Sequence, residues 1–381
     1  MWRNSGRGSR GWTLDVKCGI DAMGEKAIDT SAVWNAAELD ADRRWIYTLD
    51  DKARRDLRAA LEKARTPDKP LLEYRREDFD LGSAWGTIDA AFSEAKRGRG
   101  VALVRGLPRE GIDEEGFKLL TWGIGLHAGV ARPQGKASHY ISAVRDAGTQ
   151  YRTGTGRGYS SNAELDFHTD SADVVALSCY NKAASGGMSI TTSSLAAYER
   201  MRVEYPALVE WLHRAVHFSR QGEEAADETP FYPHPIFDER GGKRFSKWNW
   251  NRVNSAQKLE GIPRLTPAHR EALETFDATV RRRDLAHAMW LGPGDLQIIN
   301  SHATLHSRTE FVDHDDPAEK RLLFRLWIAP PDGDLLPESW RVLYKAVEVG
   351  TVRGGIIGQH HDERCKAFEQ RQAAALGMRV I

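Results

Sequence analysis

The spacing of apolar positions changes along the chain, and the changes mark its regions. From Thr30 to Arg65 the apolar residues recur at helical intervals. Thr30-Ser31 before Ala32-Val33-Trp34 predicts a helix start, with Asp29 also able to cap it. Leu49-Asp50-Asp51-Lys52-Ala53 opens a second helix with Leu57, Leu61 and Ala64 on one face, and Thr66-Pro67-Asp68-Lys69-Pro70 stops it. A further helix is predicted from Trp85 to Lys96. Trp34 and Trp45 read as core residues, because large aromatic side chains are usually buried. Residues 1–30 are Gly-rich, basic and aperiodic, and read as loosely ordered.

After Gly98 short strand-like runs take over. Gly98–Pro108 reads as a first strand carried by Val101 and Leu103, and Asp113-Glu114-Glu115 opens a helix that ends near Gly123 or Gly125. Ser138–Val144 is a strand, and residues 146–163 form a Gly- and Ser-rich loop with several tyrosines, expected to face substrate. Val174–Tyr180 is nearly continuously apolar and so central and buried. Ser185–Thr192 turns into another strand, and Leu195–Met201 and Pro206–Leu212 are helical. Residues 219–240 are polar and read as an excursion over a site. Arg244–Arg252 alternates as a strand would, putting Phe245, Lys247, Asn249 and Asn251 on one face. Thr266-Pro267 caps a helix to about Arg281, and Arg281-Arg282-Arg283 reads as a solvated end complementing the helix dipole. Leu291-Gly292-Pro293-Gly294-Asp295 turns into a strand running on to His306, and Leu322–Ile328 is the last clear core strand. The result is an α+β chain with a mainly β core. An N-terminal extension, partly helical, spans 1–97, the main domain 98–345 and a mixed tail 346–381, in which His360-His361 reads as surface.

Composition narrows the function. The 381 residues are 41% hydrophobic, enough for a sizeable core. Lys plus Arg and Asp plus Glu number 54 each, so no net field favours nucleic acid or a membrane surface. Cys18, Cys179 and Cys365 are far apart with no C-x-x-C pair, which fits a reducing compartment, and Cys179 reads as a small core residue. No run of ~18 apolar residues occurs, and the basic N-terminus lacks an apolar segment of the signal-peptide kind. A cytoplasmic location is expected.

The chemistry centres on His168-Thr169-Asp170 within Ala163–Ser171. On a strand, positions i and i+2 share a face, so an imidazole and a carboxylate can meet one metal ion. They would supply two-thirds of a 2-His-1-carboxylate triad for non-haem Fe(II), with His306 the best third ligand. Among 13 histidines and 54 acidic residues a single H-x-D carries little weight; the ordered set around it carries more.

That set is His168-x-Asp170, Gly186-Gly187-x-Ser189 followed by Ala196-Ala197-Tyr198-Glu199, then His306, then Arg321-x-x-x-Arg325. With Gly100-Val101-x-Leu103-x-x-Gly106 and Gly123-Ile124-Gly125 upstream, it resembles the taurine dioxygenase (TauD/TfdA-like) family over roughly residues 98–330. The resemblance implies a double-stranded β-helix, or jelly-roll, with flanking helices and the metal in its mouth. It implies Fe(II) on His168, Asp170 and His306, with 2-oxoglutarate and O2 as co-substrates and succinate and CO2 released. Arg321 and Ser189 would hold the far carboxylate of 2-oxoglutarate, for which a guanidinium is suited, and Arg325 would meet substrate or that carboxylate. The carboxylate at 170 points to hydroxylation, desaturation or ring formation rather than halogenation.

The expected substrate is a small polar metabolite, amino-acid-derived or natural-product-like, with Asn162, Glu164, Asn251, Arg252, Asn300 and His302 as contacts beside Arg325. Asn300 and His302 would share the strand face of His306 if the period holds. Tyr151 and Tyr159 would wall the pocket or pack. A catalytically silent metal-binding jelly-roll and a metal-dependent hydrolase stay open as alternatives, as does a homo-oligomer formed through the N-terminal helices.

Overall fold

A computed structural model describes residues 28–151 and 158–381 of the chain. Its largest sheet has seven strands. Ile46–Thr48 pairs in parallel with Val101–Arg105, and the remainder is antiparallel: Leu296–Asn300, Val174–Asn181, Leu322–Ala329, then Val130–Arg132, with Ile141–Val144 also on Leu322–Ala329. Val174–Asn181 sits between two neighbours, as its nearly continuous apolar run requires. A smaller antiparallel sheet runs His287–Met289, Ser189–Ser193, Thr304–Arg308. Among the described residues no helix is long and apolar enough to cross a membrane.

Helices cover both sheets. Ala84–Arg97 packs on Val101–Arg105 and Leu296–Asn300, while Glu114–Ala128 packs on Leu322–Ala329. Together they bury one apolar cluster that includes Leu57, Phe117, Trp122 and Phe324. Ser194–Glu204, Pro206–Leu212 and Pro267–Val280 bury a second cluster against the smaller sheet. Asp50, Asp113 and Thr266 cap their helices through side-chain oxygens, as the sequence signals require.

Several local expectations fail for identifiable reasons. The first helix starts later, at Ala36, because Asn35 forms a reciprocal capping pair with Glu38 whereas Asp29 only closes a turn onto Ser31. Gly123 and Gly125 lie inside their helix, which continues to Ala128. A side chain at either position would collide with Phe79 or Leu326, so these glycines permit close packing rather than a stop. The alternation over 244–252 is cut short: the strand ends at Ser246, and Asn249 caps a short helix, Trp250–Ala256. Leu296 to His306 is two strands in two sheets, separated by a turn at Ser301–Ala303.

The ends of the chain are more integrated than their composition suggests. Ile46–Thr48 adds an unforeseen strand to the main sheet. Trp34 and Trp45 are buried as expected. Arg281 and Arg282 are ion-paired, to Asp277 and Asp166 and to Asp284 and Glu204, rather than freely solvated. In the tail, helix Glu363–Ala375 returns Cys365 and Phe368 to the core. His361 is not a surface residue; it reaches the buried Glu369, which also holds Arg132 and Tyr140. The loosely ordered reading of residues 1–27, and the part of the substrate-facing loop over 152–157, lie outside the described residues.

Candidate active site

His168 lies where three backbone segments meet. It bridges His306 on one side and Asn249 on the other. Its N–H donates to the His306 carbonyl, and the His306 N–H donates back, both at 3.0 Å. The Thr169 N–H donates to Trp248 O at 2.9 Å. These bridges extend the smaller sheet sideways and fix the direction of the His168 and His306 side chains. Asp170 follows two positions on. Its carboxylate oxygens lie 3.9 Å from His168 Nε2 and 3.8 Å from His306 Nε2. One ligand atom from each residue falls within 4.8 Å of the others.

The charge state of the trio suits a cation. Burial alone would raise the Asp170 pKa, but Arg325, the two histidines and the Trp327 indole hold it well below the usual carboxylate range. Trp327 Nε1 donates to Asp170 Oδ2 at 2.8 Å, and Arg325 lies 3.3 Å from the same oxygen. Burial lowers the His168 pKa. Burial and the neighbouring His168 push His306 down to about 3. His168 Nδ1 lies 2.9 Å from the Asp166 carbonyl, a contact that fixes the proton on Nδ1 and leaves the Nε2 lone pair facing inward. Two neutral, half-buried imidazoles and one buried carboxylate fit a divalent first-row ion.

The trio opens on a cavity between the two sheets, lined by Leu177, Gln297 and Ile299 from one and Ser189, His306 and Arg308 from the other. Arg321 reaches it from the end of the last core strand. It is buried, its guanidinium lies 5.0 Å from the Phe311 ring, and one terminal nitrogen has no hydrogen-bond partner. Burial pushes its pKa down to about 10. Ser189 Oγ donates to Gln297 Oε1 at 2.9 Å. Arg325 Nε donates to Gln134 Oε1 at 2.9 Å.

Two cationic cavity residues were not among the site residues expected from sequence. Arg308 lies directly across from Ser189 and contacts Phe311 from 4.6 Å; burial and the nearby Arg321 push it down to about 9. Its position two residues after His306, on the same strand face, is a signal that could have found it. Lys247 also lines the cavity, and burial with the nearby Arg252 pushes it down to about 7.

The expected substrate residues divide. Asn251 and Arg252 line the cavity, as do Tyr151 and Tyr159 and, from the 219–240 excursion, Gln221 and Glu223. Arg252 is tied to Glu223 at 2.7 Å. Asn162, Glu164, Asn300 and His302 are not on the cavity wall. Asn162 is exposed, with its backbone carbonyl accepting from Phe311. Glu164 is exposed 3.9 Å from Arg281. Asn300 Oδ1 accepts from the His302 N–H at 2.9 Å, closing the turn that breaks the strand period. That break sends His302 into an aromatic box rather than onto the face of His306.

The model of the "Taurine catabolism dioxygenase TauD, TfdA family" matches residues 67–327. The chain belongs to that family. As a TauD/TfdA-family dioxygenase it is 28% identical over 319 residues to FR-33289 synthase of Streptomyces rubellomurinus (strain ATCC 31215), a match covering 83% of this chain and 94% of the relative. Its fold is similar to asparagine oxygenase solved with Fe(II), (2S,3S)-3-hydroxyasparagine and succinate, at TM-score 0.57 and 18% identity over 75% of this chain and 93% of that one. It is also similar to the non-haem iron oxygenase OrfP with Fe, succinate and (3S)-hydroxy-L-Arg, at TM-score 0.56 and 13% identity over 76% and 95%.

Proposed function

We propose that this TauD/TfdA-family chain is an Fe(II)- and 2-oxoglutarate-dependent oxygenase that hydroxylates a C–H bond of a small, polar, amino-acid-derived metabolite. Succinate and CO2 are the co-products. The carrying observation is the convergence of His168, Asp170 and His306 beside a buried, unpartnered Arg321 nitrogen. On this reading the two sheets that share the cavity are the faces of a double-stranded β-helix. Residues 98–345 are the oxygenase domain, residues up to 97 are a layer packed on it, and 346–381 are a tail. The enzyme works on a small molecule in the cytoplasm. The amino-acid class is supported by the hydroxylated asparagine and arginine named in the solved relatives.

Bound Fe(II) with 2-oxoglutarate supplies the oxygen-activating chemistry. The protein's part is placement. His168 and His306 present neutral nitrogens, and Asp170 stays ionised because Arg325 and Trp327 hold it. Arg321 and the Ser189 hydroxyl receive the distal carboxylate of 2-oxoglutarate, with Arg308 adding positive charge beside them. An ion pair made there is stronger than one in water because Arg321 and Ser189 are both buried. Asn251, Arg252, Tyr151 and Tyr159 form the substrate wall, and Arg325 serves the metal ligand Asp170. A metal hydrolase would leave the unpartnered Arg321 nitrogen without a use.

The test is anaerobic titration with Fe(II) and 2-oxoglutarate, following the visible charge-transfer band of the chelate, then O2-dependent succinate release with small amino acids. A band that forms in the wild type and is lost in His306→Ala supports the reading. Metal binding without a band overturns it.

A further inference from the structure

Among the described residues, four of the cavity's cations fall into two groups on opposite flanks of the histidine pair, while Arg325 is engaged with Asp170. Arg308 and Arg321 lie beside Ser189. Lys247 and Arg252 lie on the segment that pairs with the far side of His168. From the Ser189 strand to that segment the smaller sheet takes three inter-strand steps, roughly 14 Å at ~4.8 Å each.

Among the described residues the wall carries five cationic side chains, Arg252, Arg308, Arg321, Arg325 and Lys247, against two carboxylates, Asp170 and Glu223. Both carboxylates are engaged, Asp170 with Arg325 at 3.3 Å and Glu223 with Arg252 at 2.7 Å. Fe(II) and the 2-oxoglutarate dianion cancel each other, so loading the site leaves the cation excess unchanged. Arg308 and Arg321 face the co-substrate end. That leaves Lys247.

Lys247 is 3% exposed. Among the described residues no carboxylate comes within ion-pair distance of its ammonium. Nζ makes only two long contacts, 3.4 Å to the Asp170 carbonyl and 3.3 Å to Ser171 Oγ. A buried ammonium without a counter-ion is costly, and an apolar residue of similar volume would pack as well. The amine gains a counter-ion, and so holds its proton firmly, only when an anion arrives from outside.

We propose that Lys247 docks an oxyanion of the substrate, a carboxylate or another oxoacid group, on the wall opposite the 2-oxoglutarate end. This rests on the oxygenase reading above. Lys247 is then a specificity-determining residue: it seats the substrate's anion at one pole, while Arg321 seats the co-substrate at the other. The bond to be oxidised is held between them, beside His168, Asp170 and His306.

The experiment uses the anaerobic protein loaded with Fe(II) and 2-oxoglutarate, so that Arg308 and Arg321 are already occupied. It is titrated calorimetrically with inorganic phosphate as the probe oxyanion. The wild type is expected to bind phosphate in the millimolar range. Lys247→Met and Lys247→Gln should weaken binding at least tenfold, and Lys247→Arg should restore most of it. The chelate band and 2-oxoglutarate affinity should be the same in all four proteins, which also reports that the variants are folded. The proposal is overturned if the wild type gives no phosphate binding, if the neutral variants bind phosphate as well as the wild type, or if they lose 2-oxoglutarate instead. Absence of the band in the wild type is a different result and sinks the oxygenase reading itself.

Discussion

His302 and His306 stand four residues apart, each within 4 Å of a buried aspartate, yet their surroundings differ in every other respect. His302 sits in the turn between the two sheets, 3.3 Å from Asp173 and enclosed by Phe245, Trp340 and Tyr344. Asp173 already has a counter-charge in Arg353 at 2.5 Å. His306 sits one strand later, its carboxylate is shared with a second imidazole, and the cavity opens beside it. A His–carboxylate pair becomes a metal site only when a further ligand converges and a side is left open. A pair sealed by a guanidinium and three aromatic rings holds the chain together instead.

The largest effect should come from taking His306 out of the comparison. His306→Ala should reduce succinate release by more than the roughly 10–100-fold typical of losing an outer partner of a metal site. It should also abolish the chelate band and leave the urea midpoint of the metal-free protein nearly unchanged. A variant that keeps the band would move the metal elsewhere. Arg321→Ala should follow, raising the 2-oxoglutarate concentration for half-maximal rate by about 30-fold or more, since breaking a buried, hydrogen-bonded charge pair costs about 2–5 kcal/mol. An unchanged requirement would transfer the role to Arg308.

His302→Ala is the mirror experiment. It removes a buried ring and one partner of Asp173, so it should destabilise the fold by about 2–4 kcal/mol while the 2-oxoglutarate affinity of the folded fraction stays the same. Denaturant unfolding alongside the chelate titration separates the two. A lost band with normal stability would put His302 in the site after all.

The sequence shows the two histidines as alike because the feature that separates them is a turn. Ser301-His302-Ala303 contains no Gly or Pro, so the one local mark of the break is Asn300, whose side chain accepts from the His302 N–H, and the register of Thr304–Arg308 against Ser189–Ser193 decides which face His306 takes. Lys247 is a similar case: the alternation that grouped it with Phe245 stops at Ser246, and its lack of a carboxylate partner among the described residues is a property of packing. The strands and capped helices were legible because period and cap chemistry are local, as Asp50, Asp113 and Thr266 show. The His168, Asp170 and His306 grouping was legible because its spacing is shared with a family. Asn162 and Glu164 were named for lying just before His168 in sequence, and Asn300 and His302 for a strand period that the turn interrupts; neither places a side chain on a cavity wall.

The smallest effect appears only in acid, and it separates Asp173 from the His168, Asp170 and His306 group. Burial would raise the Asp173 pKa, but Arg353 and His302 bring it down to about 2 in the fold. A carboxylate depressed on folding adds stability that is fully present above its unfolded pKa, about 4, and is lost as pH falls toward the folded value. The contribution is about 2 kcal/mol. Glu369, held down to about 2 by Arg132 and His361 against its burial, is lost over the same window. Asp173→Asn should therefore be less stable than the wild type at neutral pH, with Arg353 left unpaired, and the gap should narrow by about 2 kcal/mol between pH 4 and pH 2. Urea midpoints measured across that interval decide it. A gap that stays constant to pH 2 would mean that Asp173 contributes by shape and hydrogen bonding alone, and the Asp173–His302 pair would then be a packing feature rather than an electrostatic counterpart of Asp170–His306.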